Sequence, residues 1–194
     1  PMDLELVYNG IPVEKFKPSD EKEDLVVTVG PLTAERIKVK GLDAFVKASA
    51  YLPDVRFVLI GKYEDQLVNC LRKHSSSNLA FTGWLPIERV LRYYQRAKVY
   101  CQLSIHESFG VALAEAMACC CVPVVTRKYA IPEVVGDTGF YVPYDNPEAT
   151  AETIRKALAS NKGIKARERI RKYFSLKDRE KKLVEEILKL YGKV

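Results

Sequence analysis

No apolar run in this chain reaches the ~20 residues that would span a bilayer. The opening Pro1-Met2-Asp3-Leu4 has no basic-then-apolar leader pattern. The expectation is a cytoplasmic protein, or a soluble piece of one. Cysteine is sparse and badly spaced for chemistry: Cys70, Cys101 and the run Cys119-Cys120-Cys121 give neither paired zinc ligands nor a Cys-x-x-Cys. An odd count of 5 argues against a disulfide framework. These thiols are expected as small buried hydrophobes, with no metal site. No Gly-x-Gly-x-x-Gly follows any apolar run, which disfavours an NAD-dependent dehydrogenase. No internal repeat, low-complexity tract or Asn-Gly hairpin between two strands is present.

What is there suits one α/β domain. The chain has 194 residues, enough to bury a full core, and its 47% hydrophobic and 29% charged content is ordinary for a globular protein. The net charge of +6 is unevenly placed. Residues 160–194 carry 12 Lys/Arg against 5 Asp/Glu, whereas residues 1–159 carry 19 against 20. The basic excess belongs to the C-terminal tail. A solvated helix face, an anionic membrane surface, another domain and nucleic acid are its possible explanations. Nucleic acid is disfavoured, because few aromatics interleave with the cations and no RNA- or DNA-binding motif occurs.

Short apolar runs at Leu25–Val29, Arg56–Ile60, Leu79–Thr82, Val99–Leu103, Val122–Thr126 and Phe140–Val142 predict strands. Most are continuously hydrophobic, which fits strands covered on both faces of a parallel sheet. Helical spacing lies between them: Leu42, Phe45, Val46 and Ser49; then Leu67, Cys70 and Leu71; then Val90, Leu91, Tyr94 and Ala97; then Val111, Ala114, Glu115 and Ala118. This alternation predicts a doubly wound open sheet. Asn146-Pro147-Glu148 opens a further helix with Ala151, Ile154 and Leu158 on one face. A short basic helix follows Asn161-Lys162-Gly163. Ser175 or Asp178 opens a last helix, whose Leu183, Val184, Ile187, Leu188 and Tyr191 form an apolar stripe. That stripe needs cover, either from its own domain or from a neighbouring one.

Open parallel sheets bind ligands outside the carboxyl ends of their strands. After the first strand come Gly30 and Pro31, then Arg36, Lys38, Lys40 and Gly41 before a helix: a close-approach glycine and cations beside a helix N-terminus, an arrangement that suits an anion. Gly61 follows the second strand. Gly83 and Trp84 follow the third, and Trp84 could cover a base or sugar face or pack in the core. The richest segment follows the fourth: Glu107-Ser108-Phe109-Gly110, then Glu115-Ala116-Met117-Ala118. Ser108 is a candidate N-cap. Gly110 in the first turn would expose backbone N–H groups to a phosphate. Glu115, set among apolar neighbours, needs donors, and ribose or hexose hydroxyls would serve. Caps and salt bridges are the plainer reading of both glutamates.

Glu107-Ser108-Phe109-Gly110 with Glu115-Ala116-Met117-Ala118 resembles the E-x7-E motif of retaining GT-B glycosyltransferases, family 4 (group 1). Tyr8-Asn9-Gly10-Ile11-Pro12 with Phe16-Lys17-Pro18, Lys40-Gly41-Leu42-Asp43, Phe81-Thr82-Gly83-Trp84-Leu85-Pro86 and Ile131-Pro132-Glu133-Val134-Val135 resemble other family segments in the expected order. The resemblance runs from about Val7 to about Ile154. It implies a Rossmann-like doubly wound sheet, one half of a GT-B architecture, with a C-terminal helical tail. It divides the chain into a linker remnant (1–22), a nucleotide-sugar-binding domain (23–160) and C-terminal helices (161–194) that pack toward an N-terminal acceptor domain this chain lacks. Lys40 would contact the donor diphosphate and Glu107 the transferred sugar near the reacting centre. Glu115 would bind the ribose hydroxyls. Ser108, Phe109 and Gly110 would present backbone amides, and Gly83 and Trp84 would lie by the base. Gly30 and Arg36 complete the donor-binding set.

The implied reaction moves a hexosyl group from a UDP-, GDP- or ADP-sugar to a saccharide or lipid-linked acceptor. The donor phosphate takes the acceptor proton on the face it leaves, so no protein nucleophile is required. No metal or other cofactor is expected, and no Asp-x-Asp pair is present. A lipid-linked acceptor would place the basic tail at an anionic membrane. The sequence departs from the family at Pro31, where an Arg usually makes a second phosphate contact. Losing a charge-assisted bond of that kind costs about 1.5–3 kcal/mol. Arg36 or Lys38 would have to replace it. Glycines usual at Cys120, near Tyr129-Ala130 and after Gly61 are also absent. A non-catalytic nucleotide-sugar-binding module is therefore the main rival reading. A GT-B-like epimerase is disfavoured by the Ser-Phe-Gly and Glu-Ala-Met-Ala contexts.

Overall fold

The computed structural model describes residues 5–73 and 75–191. The Pro1-Met2-Asp3-Leu4 start lies outside them, as do His74 and residues 192–194. Six strands form one parallel sheet: β1 (Glu23–Val29), β2 (Arg56–Ile60), β3 (Leu79–Phe81), β4 (Ala97–Gln102), β5 (Val122–Thr126) and β6 (Phe140–Val142). Their order is β3-β2-β1-β4-β5-β6. The runs at 56–60, 122–126 and 140–142 have the expected bounds. The others shift by a residue or two, as element ends do.

Successive strand residues point to opposite faces, and both faces are buried. Val26, Val99, Cys101 and Val124 face one layer, with Leu42, Phe45 and Val46 of α2 (Leu42–Ala50) and Ala151 and Ile154 of α7 (Pro147–Leu158). Leu25, Val27, Tyr100 and Val125 face the other. There they meet Tyr94 of α4 (Ile87–Arg96), Leu113 and Met117 of α5 (Val111–Ala118) and Val134 of α6 (Ile131–Val135). The remaining helices are α1 (Arg36–Val39), α3 (Asp65–Arg72), α8 (Lys162–Tyr173) and α9 (Leu176–Tyr191). Asn146 caps α7 as the sequence suggests, its Oδ1 accepting from Ala149 N at 2.9 Å. Ser175 opens α9, accepting from Asp178 N at 3.2 Å.

Two segments set apart in the sequence reading share this core. Ile11 and Phe16 of the expected linker are 1% and 2% exposed. Ala166 and Ile170 of α8 join the same cluster. Arg167 ties both to the domain, donating to the carbonyls of Phe16 and Ala118. Lys22 acts similarly, its ammonium donating to the carbonyls of Tyr94, Ala97 and Cys119 at 2.6–2.9 Å. A cation there meets carbonyls at the ends of α4 and α5, where the helix dipoles favour it.

The structure corrects one reading of packing and bears on two that the sequence leaves open. Cys70 is exposed; Val68 and Leu71 of α3 are buried in the core, and Leu67 packs against it partly buried. Trp84 is 66% exposed, so it is no core residue. No cover for the stripe on α9 comes from the described residues: Leu183, Val184, Ile187, Leu188 and Tyr191 are all exposed, and no described residue of α9 is buried.

Cys120 and Tyr129 have φ of +63° and +49°, a left-handed backbone at places where the family pattern leads one to expect glycine. Such a conformation costs a residue with a side chain about 1–2 kcal/mol. Cys120→Gly removes that strain but restores unfolded-state freedom worth about 0.5–1 kcal/mol. The expected outcome is a net gain on the order of 0.5 kcal/mol, read as a higher midpoint in thermal or urea unfolding. Cys120→Ala, which keeps the strain, should gain nothing.

Candidate functional site

In this strand order β1 and β4 are neighbours whose following connections leave in opposite directions. Their carboxyl ends therefore open a crevice. Lys40 follows β1 by way of α1, and Glu107 follows β4. The backbone brings them together. Gly41 has φ +63°, and a Cβ there would fall 2.2 Å from the carbonyl oxygen of Leu103. Ile105 N donates to Val39 O at 2.9 Å, closing the same contact. With the two loops pressed together, Lys40 Nζ lies 2.6 Å from Glu107 Oε2, and the side chains are only 19% and 16% exposed.

A buried polar string supports this pair from below. Gln102, at the end of β4, donates from Nε2 to Ser104 Oγ at 2.6 Å and to Glu107 Oε2 at 3.3 Å. Its Oε1 accepts from the Tyr100 hydroxyl at 3.2 Å. Burial pushes the Tyr100 phenol well above its ordinary pKa, which keeps it a donor. Thr126 Oγ1 donates to the carbonyl of Ser104 from β5. Glu107 is thus held from a rigid strand end, with Lys40 on its open side.

Helix α5 begins directly beyond. Its N-cap is Gly110, left-handed at φ +85°, and no side chain caps it. Ser108 is exposed and caps nothing, contrary to the sequence reading, because the helix starts two residues later than a Ser108 cap requires. The helix therefore presents its first N–H groups to a cavity of about 310 Å³. Lys40, Gln102, Glu107, Ser108, Phe109 and Gly110 line it, with Asn9, Val29, Val111 and Ala112 at its margins. Val111, expected against the sheet, is exposed, while Leu113, Ala114, Ala116, Met117 and Ala118 form the buried face. The Phe109 ring belongs to the core, edge-on to Phe174 at 5.5 Å between centroids.

The other candidates lie around this centre. Glu115 sits farther along α5, half-buried, and no hydrogen bond or ion pair reaches its carboxylate among the described residues. Burial pushes its pKa up to about 7, with Lys15 opposing the shift. Arg36 is exposed on α1 and lines no part of the cavity. Lys38 is engaged with Asp43 and reaches Asp145 at 3.4 Å, so it does not stand free to replace an arginine at position 31. Gly30, Gly61 and Gly83 form a continuous backbone edge: Gly61 N donates to Gly83 O at 3.0 Å, and a Cβ on Gly61 would lie 2.0 Å from Gly30 O. The close approach at Gly61 is thus made by Gly30. Trp84 stands exposed beyond β3, two strands from β1.

The sequence reading missed Gln102, Val29 and Asn9. Gln102 carried a signal, a polar residue inside an otherwise apolar predicted strand. Asn9 carried none, because Arg179 of α9 places it, donating to its Oδ1 at 2.9 Å.

The family model described as "Glycosyl transferases group 1" matches residues 12–175. Alpha-maltose-1-phosphate synthase from Mycolicibacterium smegmatis is 27% identical over 228 residues, covering 100% of this chain and 58% of that protein. Sucrose-phosphate synthase from Thermosynechococcus elongatus superposes with a TM-score of 0.85 at 22% identity, over 98% of this chain and 53% of the other. Anabaena HepE, solved in complex with UDP and glucose, gives a TM-score of 0.80 at 18% identity, over 95% of this chain and 57% of the other. The chain thus spans a little over half the length of each of these three proteins. The fold is the Rossmann-like unit of the GT-B architecture, and with the family model covering most of its length the chain belongs to the group 1 glycosyl transferases.

Proposed function

We propose that this chain is the donor-binding unit of a retaining glycosyltransferase that moves a hexosyl group from a nucleoside-diphosphate sugar to a saccharide or lipid-linked acceptor. The observation that carries this reading is the meeting of Lys40, Glu107 and the uncapped start of α5 at the switch point of the sheet. A cation and a helix N-terminus facing one cavity suit a diphosphate. A carboxylate beside them suits sugar hydroxyls, which donate. The protein then acts by holding the diphosphate and stabilising the charge that gathers on it as the sugar bond breaks. Lys40 and the α5 amides do this, and Glu107 orients the sugar. HepE, a structural neighbour, was solved with UDP and glucose, which supports a nucleotide-sugar ligand. Gly83 and Trp84, just beyond β3, are the candidate neighbours of the base, and Glu115 is the candidate partner of the ribose.

The acceptor would be bound by a second domain, with the exposed stripe of α9 as the surface that meets it. The cations around that stripe would face an anionic membrane if the acceptor is lipid-linked. No helix among the described residues is long and apolar enough to cross a membrane. A second reading, a nucleotide-sugar-binding module without transferase activity, is favoured by Pro31 and by the engagement of Lys38 with Asp43. Either function uses the same donor cavity.

Ligand-detected NMR with UDP, GDP, ADP and their common sugar conjugates tests the reading. One nucleotide series should bind, and Glu115→Ala should weaken it roughly tenfold, as expected for losing a hydrogen bond to a charged group. Absence of binding by every nucleotide would sink the reading. Mixed with donor and a panel of saccharide acceptors, the chain alone should show no transfer above background. Transfer restored only when an acceptor domain is joined to it would favour the enzyme over the inert module.

Glu115 also sets a pH dependence. Its folded pKa of about 7 lies above the ordinary carboxylate value, so between about 4.5 and 7 the folded state binds more protons than the unfolded one. This group therefore lowers stability as pH rises through that window, and Glu115→Gln should flatten the corresponding slope in urea unfolding. Nucleotide binding should run the opposite way. Ribose hydroxyls need the ionised acceptor, so affinity should fall as pH drops below 7 in the wild type and lose that trend in Glu115→Gln.

A further inference from the structure

The ion pair between Lys40 and Glu107 has a consequence beyond the separate contacts each residue would make. In the structure each neutralises the other at 2.6 Å, and both are largely withdrawn from water. Half-buried charges cannot be left unpaired cheaply, so either residue can turn to a ligand only if both find new partners. A diphosphate supplies anionic oxygens for Lys40. It does the reverse for Glu107, bringing like charge toward a carboxylate whose remaining hydrogen bond among the described residues is the 3.3 Å one from Gln102. Glu107 then needs donors from the ligand itself. A fully ionised nucleoside diphosphate has none at its terminal phosphate, whereas a nucleotide sugar carries hydroxyl groups at that end.

We infer that the Lys40–Glu107 pair is a discriminator: it admits the intact nucleotide sugar and disfavours the bare nucleoside diphosphate left after transfer. With the sugar in place, Lys40 turns to phosphate and Glu107 to hydroxyls, and both charges stay satisfied. Once the sugar has gone, Glu107 loses its donors and competes for Lys40 again, which loosens the diphosphate. The pair thus couples loss of the sugar to release of the nucleotide. Gln102, anchored through Tyr100 and Ser104, keeps Glu107 within reach of Lys40 so that the pair re-forms. This inference rests on the donor-site reading above.

The consequence runs against the usual expectation for a binding-site residue. Removing the Glu107 charge should tighten binding of the bare diphosphate. Glu107→Gln keeps the side-chain shape and frees Lys40. The experiment is calorimetric or NMR titration of the chain with inorganic pyrophosphate, and with UDP, GDP or ADP and the matching glucose conjugate, on wild type, Glu107→Gln, Lys40→Met and the double variant. Glu107→Gln is expected to bind pyrophosphate and the bare nucleotide roughly ten- to hundredfold more tightly than wild type, the range for one charge-assisted interaction. The glucose conjugate should gain little or lose affinity, so the preference of sugar conjugate over bare nucleotide collapses. Adding Lys40→Met should abolish the gain, since the gain comes from the freed ammonium. Nucleotide binding in wild type with equal or weaker diphosphate binding in Glu107→Gln overturns the inference and leaves the donor site standing. A gain that persists in the double variant also overturns it, because a general relief of negative charge would then be the cause. If neither wild type nor Glu107→Gln binds any nucleotide or pyrophosphate, the donor-site reading fails and the inference with it.

Discussion

The site depends on a contact in which no side chain takes part from one of its members: the backbone of Gly41 against the carbonyl of Leu103. A β-carbon at position 41 would collide with that carbonyl, and the left-handed conformation there disfavours a side chain independently. Because the contact is so close, the connection after β1 lies directly on the end of β4. Lys40 and Glu107, 67 residues apart in the chain, are thereby placed within hydrogen-bonding distance. The sheet supplies the rest. With β1 and β4 side by side and helices on both faces, polar groups are driven to the strand ends, and at the switch point those ends are not covered by a crossing connection.

Holding two charges in a partly dry crevice is stabilised only if the surrounding dipoles are fixed in advance. The string from Tyr100 through Gln102 to Ser104 and Thr126 does this, and its members come from β4, the loop beyond it and β5. It is anchored in the same layer as Leu113 and Met117 of α5, so the carboxylate and the helix N-terminus are referred to one rigid frame. Under the proposed function such rigidity is an advantage, because little reorganisation would remain to be done as charge builds on a bound diphosphate. Glu115 differs in kind. It sits half-buried without a protein partner among the described residues, and its raised pKa records the cost of that position.

Much of this is legible in the amino-acid order alone. Continuous apolar runs such as Val122–Thr126 read as doubly covered strands, and their alternation with helical spacing implies a parallel sheet. The segment from Glu107 to Gly110 reads as a loop entering a helix. What could not be read followed from details finer than periodicity. Ser108 looks like a cap, yet the left-handed Gly110 delays the helix and turns Val111 outward. Cys70 and Val68 are both compatible with a buried helical face, and only packing chooses Val68. Trp84 is as apolar as a core residue, and nothing local says that no neighbour covers it. Charge and spacing alone do not separate Lys38 from Lys40, which only the family resemblance singles out; Asp43 takes one and Glu107 the other. Gln102 was visible as an anomaly within a strand, and the anomaly marked the foundation of the site.

Helix α9 connects the crevice between β1 and β4 to the edge of the domain. A helix of its 16 residues is marginal in water without tertiary support. None of its described residues is buried, although it shows a clear apolar stripe. Its first turn, by contrast, is stitched to the segment before β1: Ile11 N donates to Phe174 O, Leu176 N donates to Ile11 O, and Arg179 donates to Tyr8 O and Asn9 Oδ1. Asn9 in turn lines the cavity beside Lys40 and Glu107. Any body that covers the stripe is therefore linked to the rim of the site by a short, hydrogen-bonded path through α9.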